Sequence, residues 1–261
     1  MKIVVPVKYV PEPTATWGFA DDLTIDRGGV EGRLSELDEY AVEQAVRLVE
    51  GGLDAEIVAL TVGPAKATDA LRKALAMGAN SAVHVVDDAI HGSDAVATSL
   101  VLATAIAQSG FDLVVTGMAS TDAEMSVVPA MVAERLGVPQ VTFASALSVD
   151  AGAGSVAIRR DGDTASEEIQ APLPAVVSVT DQTGEARYPA FKAIMASKKK
   201  PVTTWTLGDL GIEPAQVGLA AASCVVRTLT PRPPREAGVV VVDEGDGAVQ
   251  IADFLAARKF L

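Results

Sequence analysis

Two stretches of this 261-residue chain hold residues whose types and spacing could do chemistry. The first is TGMASTDAEMSVVPA, residues 116–130, which offers Ser120, Thr121, Asp122 and Ser126 in a polar loop just before a helical pattern. Hydroxyls, small residues and free amides at a helix N-terminus suit a phosphate or a ribose. Asp122 could accept from a ribose hydroxyl. Equally, Asp122 and Ser126 could simply cap the helix that follows, and the residues alone leave both readings open. The second stretch is RYPAFKAIMASKKKP, residues 187–201. Tyr188, Phe191, Ile194 and Met195 run into Lys198, Lys199 and Lys200 between Pro189 and Pro201. Their spacing fits one stripe of a helix on a core, but the two prolines allow only a short helix. An apolar loop with lysines at its base suits docking to an acidic partner.

Other kinds of chemistry find few residues. Two histidines and one cysteine at unrelated positions do not make a strong metal site. His84 lies within a strand-like run and reads as held in or near the core; His91 falls in a loop and reads as solvated. There is no G-x-S-x-G, no Walker loop and no G-x-G-x-x-G after a strand. The pattern is that of a protein that holds something, not of an enzyme with its own catalytic side chains.

The elements that must position these loops alternate two periods. Residues 3–10, 56–63, 82–88 and 111–118 are short apolar runs that read as buried strands. Between them lie helical patterns. Ser35 can cap the first, with Asp38 as a weak capping box, and Leu37, Tyr40, Ala41, Ala45, Leu48 and Val49 share one face. Ser93 or Asp94 caps a later one. Such alternation predicts an α/β fold of three layers, a mostly parallel twisted sheet with helices on both faces. Ligands in such sheets bind at the carboxyl ends of the strands, here after the first, second and fourth. From Val138 the runs shorten and predict a β-hairpin added at the sheet edge, then one more central strand at 175–179. The predicted organisation is a nucleotide-binding α/β domain over 1–200, with its docking loop at 187–200, and an extended C-terminal arm over 201–261.

Composition sets the class. Apolar residues make up 49% of the chain and aromatics only 4%, so a sizeable core of Val, Ala, Leu and Ile is expected. A net charge of -13 argues against nucleic acid and anionic membrane as partners of the whole surface. Cys224 stands alone, so no internal disulfide forms. Without an apolar run of about 18 residues or a leader-like start, the reading is a cytoplasmic protein not inserted in a membrane.

At this point several segments together resemble the β (small) subunit of electron-transfer flavoproteins over essentially the whole chain. They are VPVKYVPEP, LDEYAVEQAVRL, LTVGPAKATDALRKALAMGA, FDLVVTGMASTD, VPAMVAERLGVPQVT, LPAVVSV and RYPAFKAIMASKKKP. The resemblance implies a heterodimer with an α subunit that carries most of a redox-active FAD, and a structural AMP in this subunit. It implies electron transfer from acyl-CoA and related dehydrogenases, as in fatty acid β-oxidation, to a quinone reductase of the membrane. It also implies that the C-terminal arm wraps the α subunit and that the 187–200 loop anchors dehydrogenases, with Phe191 at the apolar anchor position. The nucleotide site carried over comprises Pro6, Ser35, Leu37, Asp38, Val62, Gly117, Ser120, Thr121, Asp122, Met125, Ser126, Val127 and Val128. Many members read D-G-D-T-G-Q where this chain has Asp122 to Val127, and some place an aromatic against the flavin where Leu37 stands. Two alternatives stay beside this one: a bifurcating relative with a second FAD in this pocket, and a nucleotide-binding protein resembling universal stress proteins.

Overall fold

The computed structural model describes residues 1–234 and 238–261. They fall into two compact units, Met1–Arg227 and Thr228–Leu261.

The first unit is built on β1 (Lys2–Pro6), β4 (Glu56–Val62), β5 (Ser81–Val85), β6 (Leu113–Gly117), β7 (Gln140–Ala144), β11 (Ala175–Val179) and β12 (Val202–Trp205). They form one sheet in the order β12-β5-β4-β1-β6-β11-β7, and every pairing in it is parallel. Alternation along β1 shows why both faces are apolar. Ile3 and Val5 point to one layer, where they join Ala41, Val42, Ala45, Leu71 and Leu75. Val4 points to the other, with Val101, Ala105, Ile106, Val132 and Ala133. The helices supplying those residues are α1 (Glu36–Glu50) and α2 (Thr68–Met77) on the first face, α3 (Ala95–Ser109) and α4 (Val128–Leu136) on the second. This is the predicted three-layer α/β fold.

Four details differ from the sequence reading. The first run breaks after Pro6, and β2 (Tyr9–Pro11) pairs antiparallel with β3 (Gly32–Leu34). Ser35 stands at the N-cap of α1 but makes no capping hydrogen bond through its side chain, because its hydroxyl and the Asp38 carboxyl are turned towards neighbouring loops. The expected hairpin is a separate three-stranded antiparallel sheet of β8 (Ala146–Asp150), β9 (Ser155–Asp161) and β10 (Ser166–Pro172). Its apolar face, with Val156, Ile158 and Ala171, packs into the same layer as α1. Fourth, the main unit does not stop at residue 200. β12 adds to the sheet beside β5, and Leu207, Leu210, Ile212 and Val217 are buried against the α3 face.

Residues 235–237, inside the expected C-terminal arm, lie outside the described residues. The second unit contains a helix over Gly247–Ala257, whose Val249, Ile251 and Phe254 are exposed. Among the described residues no helix is long and apolar enough to cross a membrane.

Candidate functional site

The chain runs from β1 outward through β4 to β5 on one side, then returns to β6 on the other, where β7 takes the edge and β11 later fills the place between them. The order therefore reverses between β1 and β6, and the crevice outside their carboxyl ends is where such sheets bind ligands. Pro6 ends β1, Val62 ends β4 and Gly117 ends β6, so three of the predicted residues share this edge.

Gly117 is there because nothing larger fits. A Cβ at this position would lie 2.7 Å from the Asp38 Oδ1 and 2.7 Å from the Leu37 carbonyl oxygen. The close approach brings the first turn of α1 onto the end of β6. Asp38 then bridges the crevice: its Oδ2 accepts from the Lys8 amide at 2.8 Å. Burial pushes its carboxyl up to about 7, only partly offset by the Lys8 amide, the Lys8 charge and the Gly117 amide.

The 118–127 loop closes the crevice. The Thr121 amide donates to Ser35 Oγ at 3.4 Å, and the Lys8 ammonium reaches Ser120 Oγ at 3.3 Å. Asp122 is fully buried through its side chain and pairs with Lys8 at 2.8 Å and Arg27 at 2.6 Å. Burial alone would raise its pKa, but the two cations overcome that and hold it at about 2. Asp122 and Ser126 do not cap α4. The N-cap is Val127, and it makes no capping bond through its side chain. Glu124 (φ 49°) and Ser126 (φ 55°) adopt the left-handed conformation, so Ser126 has the backbone of a glycine where the family pattern carries one. Met125 and Val127 are exposed. The Thr121 hydroxyl is buried without a hydrogen-bond partner among the described residues. Such an orphan costs stability unless something completes it.

Lys8 and Arg27 are the site residues that sequence reasoning missed. Lys8 fell inside the run 3–10 that reads as one strand; only the break after Pro6 puts it in the loop that follows β1, so the loop was a candidate but Lys8 was not. Arg27 lies in the long 12–31 connection, and no sequence signal distinguishes it.

His84 is buried, with Nε2 3.0 Å from the Gly63 carbonyl and Nδ1 3.2 Å from the Thr68 hydroxyl, so it is a core histidine. His91 is exposed beside Asp22 at 2.7 Å.

The second candidate region forms α5 (Phe191–Ser197). Tyr188 is 89% exposed and Phe191 78%, with Met195 and Ile194 also exposed. A groove of about 570 Å³ runs between α5 and α2, lined by Arg72, Ala76, Tyr188, Pro189 and Ile194. Lys198 and Lys199 are exposed. Lys200 is not available to a partner in the same way: its ammonium donates to the Leu75 carbonyl at 2.8 Å and the Ala79 carbonyl at 2.5 Å, closing the end of α2.

Comparison with known proteins decides the family. The electron transfer flavoprotein domain matches residues 22–210. The electron transfer flavoprotein subunit beta of Mycobacterium leprae is 44% identical over 99% of both chains. That of Megasphaera elsdenii is 30% identical over the full length of both. The chain belongs to the electron transfer flavoprotein β-subunit family. Its role is electron transfer. Protein FixA of Rhizobium meliloti is a further relative, 34% identical over all of this chain and 91% of its own. These matches extend well past residue 140, covering the segments that a universal-stress-like reading leaves unexplained.

Proposed function

We propose that this chain is the small subunit of a heterodimeric electron carrier whose FAD is held mainly by a larger α subunit. The carrier takes electrons from acyl-CoA and related dehydrogenases, as in fatty acid β-oxidation, and delivers them to a membrane quinone reductase. It works in the cytoplasm, and residues beyond the first unit wrap the α subunit. The crevice between β1 and β6 holds an AMP that is structural.

The observation that carries the AMP reading is the buried, unpartnered Thr121 hydroxyl in a loop that enters α4 without a side-chain cap. The residues fit the group. Uncapped helix amides and a nearby cation suit a phosphate, and a free hydroxyl suits a sugar or base edge. Asp122 takes no part through a ribose, since both its oxygens are engaged by Lys8 and Arg27. The contribution of this chain is then to hold: Asp38 and Gly117 fix the crevice floor, Lys8 and Ser120 its side, and the 118–127 amides its roof. The FAD supplies the redox chemistry when bound.

The reading of the 188–199 surface as the dehydrogenase anchor rests on its exposed aromatics beside basic residues in an otherwise acidic chain. Buried apolar anchors of this kind dominate binding energy in protein interfaces.

Co-expression with the neighbouring large subunit, followed by denaturation and mass identification of released nucleotides, tests the proposal. One FAD and one AMP per heterodimer is the expected result. Two FAD would replace the AMP assignment with the bifurcating one. A complex without flavin would refute the carrier reading.

A further inference from the structure

We infer that Arg187 is a positioning residue that clamps the docking segment to α1 and holds α5 in the pose a partner meets. The inference rests on the reading of residues 188–199 as the docking surface.

Helix α5 has seven residues and no side-chain cap at its N-terminus. A helix this short does not hold itself in water, and its Phe191 and the preceding Tyr188 contribute little packing because they are mostly exposed. Something else must fix it, and the structure places charged clamps at both ends. At the entry, Arg187 Nε donates to Glu43 Oε2 at 2.7 Å and Nη2 to Glu43 Oε1 at 3.2 Å. Its Nη1 and Nη2 reach the two Glu50 oxygens at 2.7 and 2.8 Å. The Arg187 amide itself donates to Glu43 Oε2 at 3.1 Å. Glu43 is 3% exposed and is flanked on its other side by Arg47 at 2.7 Å. At the exit, Arg72 donates to the Ser197 and Lys200 carbonyls at 2.9 and 3.3 Å, and Lys200 closes the end of α2.

A guanidinium fork can serve two carboxylates two turns apart on one face of α1 at once. No clamping bond uses Tyr188, Phe191 or Met195, so a partner can cover them without undoing the clamp. Among the described residues Lys192, Lys198 and Lys199 form no ion pair, and they stay available beside the apolar tip. Holding such a surface in advance removes an ordering cost from binding. The consequence is specific: loosening the clamp weakens docking and leaves electron transfer within the docked complex unchanged.

The test uses the flavin-loaded heterodimer with Arg187→Ala and Arg187→Lys. Arg187→Ala leaves Glu43 paired with Arg47, so no buried carboxylate is stranded. The readouts are amide hydrogen exchange across residues 188–197, flavin content, and the KM and kcat for the carrier with an acyl-CoA dehydrogenase that reduces the unaltered protein. The expected result is faster exchange and a KM raised about tenfold at unchanged kcat and flavin content, with Arg187→Lys between the two. Should Arg187→Ala fail to fold, Glu50→Gln at the exposed arm of the clamp gives a smaller change in the same direction. Unchanged exchange, or a KM that stays put while Phe191→Ala raises it, overturns the clamp. If Phe191→Ala also leaves KM unaltered, the docking reading itself falls, and the clamp's role falls with it.

Discussion

Asp38→Asn is the most informative perturbation of the crevice. Asp38 is buried, its Oδ2 accepting from the Lys8 amide, and burial pushes its carboxyl up to about 7. The usual value for an unfolded aspartate is about 3.9. Below the unfolded value both states hold the proton, and the group carries no penalty. Between that value and about 7 the unfolded chain ionises while the folded chain keeps its proton, so stability falls as pH rises, by about 1.36 kcal/mol per pH unit. The loss levels off above the folded value at about 4 kcal/mol. Asparagine keeps an oxygen for the Lys8 amide and never ionises. Relative to the variant, the wild type should therefore lose about 4 kcal/mol between pH 4 and pH 8. For a protein of this size that is a change in Tm difference of roughly 10 °C. Thermal unfolding of both proteins as purified complexes, in matched buffers at half-unit steps, reads it directly. Taking the difference between the two proteins removes every other titrating group that the substitution leaves undisturbed. A Tm difference that stays flat across this range would refute the reasoning. It would mean that the Lys8 and Gly117 amides hold Asp38 as an ordinary carboxylate despite its burial.

Other outcomes follow from the same geometry. Gly117→Ala puts a methyl 2.7 Å from backbone and carboxylate atoms of α1; it should cost about 1–3 kcal/mol and lower the content of the nucleotide proposed for the crevice, both measurable by unfolding and nucleotide content. Asp122→Asn removes the charge that pins Lys8 and Arg27. Those cations are 38% and 36% exposed, so water compensates in part and the loss should be about 1–2 kcal/mol, with faster proteolysis in the 12–31 connection. Phe191→Ala should change stability by under ~0.5 kcal/mol, a Tm shift of no more than about 2 °C, yet weaken reduction by a dehydrogenase by about 1–3 kcal/mol in binding terms; equal loss of flavin would make the residue structural. Lys200→Met removes the donor from the Leu75 and Ala79 carbonyls and should destabilise the fold by about 1–2 kcal/mol, with the salt dependence of docking unaltered.

Much of the fold was written in local pattern. Apolar runs alternating with amphipathic helices specify a covered parallel sheet because such strands must be apolar on both faces, as Ile3, Val4 and Val5 are. The polar loop after β6 was legible from its hydroxyls and small residues, and the exposed Tyr188 and Phe191 were legible as apolar residues that the short, proline-bounded segment could not bury. The motifs also carried the family. What sequence alone left open depends on contacts between distant residues. Lys8, Arg27 and Asp122 meet across 95 and 114 positions, and no periodicity encodes such a meeting. Lys200 reads as one of three equal lysines until α2 is placed beside it. Residues 202–205 look like the start of an arm, and become an edge strand only because β5 presents unpaired backbone groups there. Sequence determined which segments are strands, helices and exposed tips, through propensities and periods acting over a few residues. Tertiary structure decided which charges are buried and which are free, because desolvation and ion pairing depend on what the folded chain brings alongside each group.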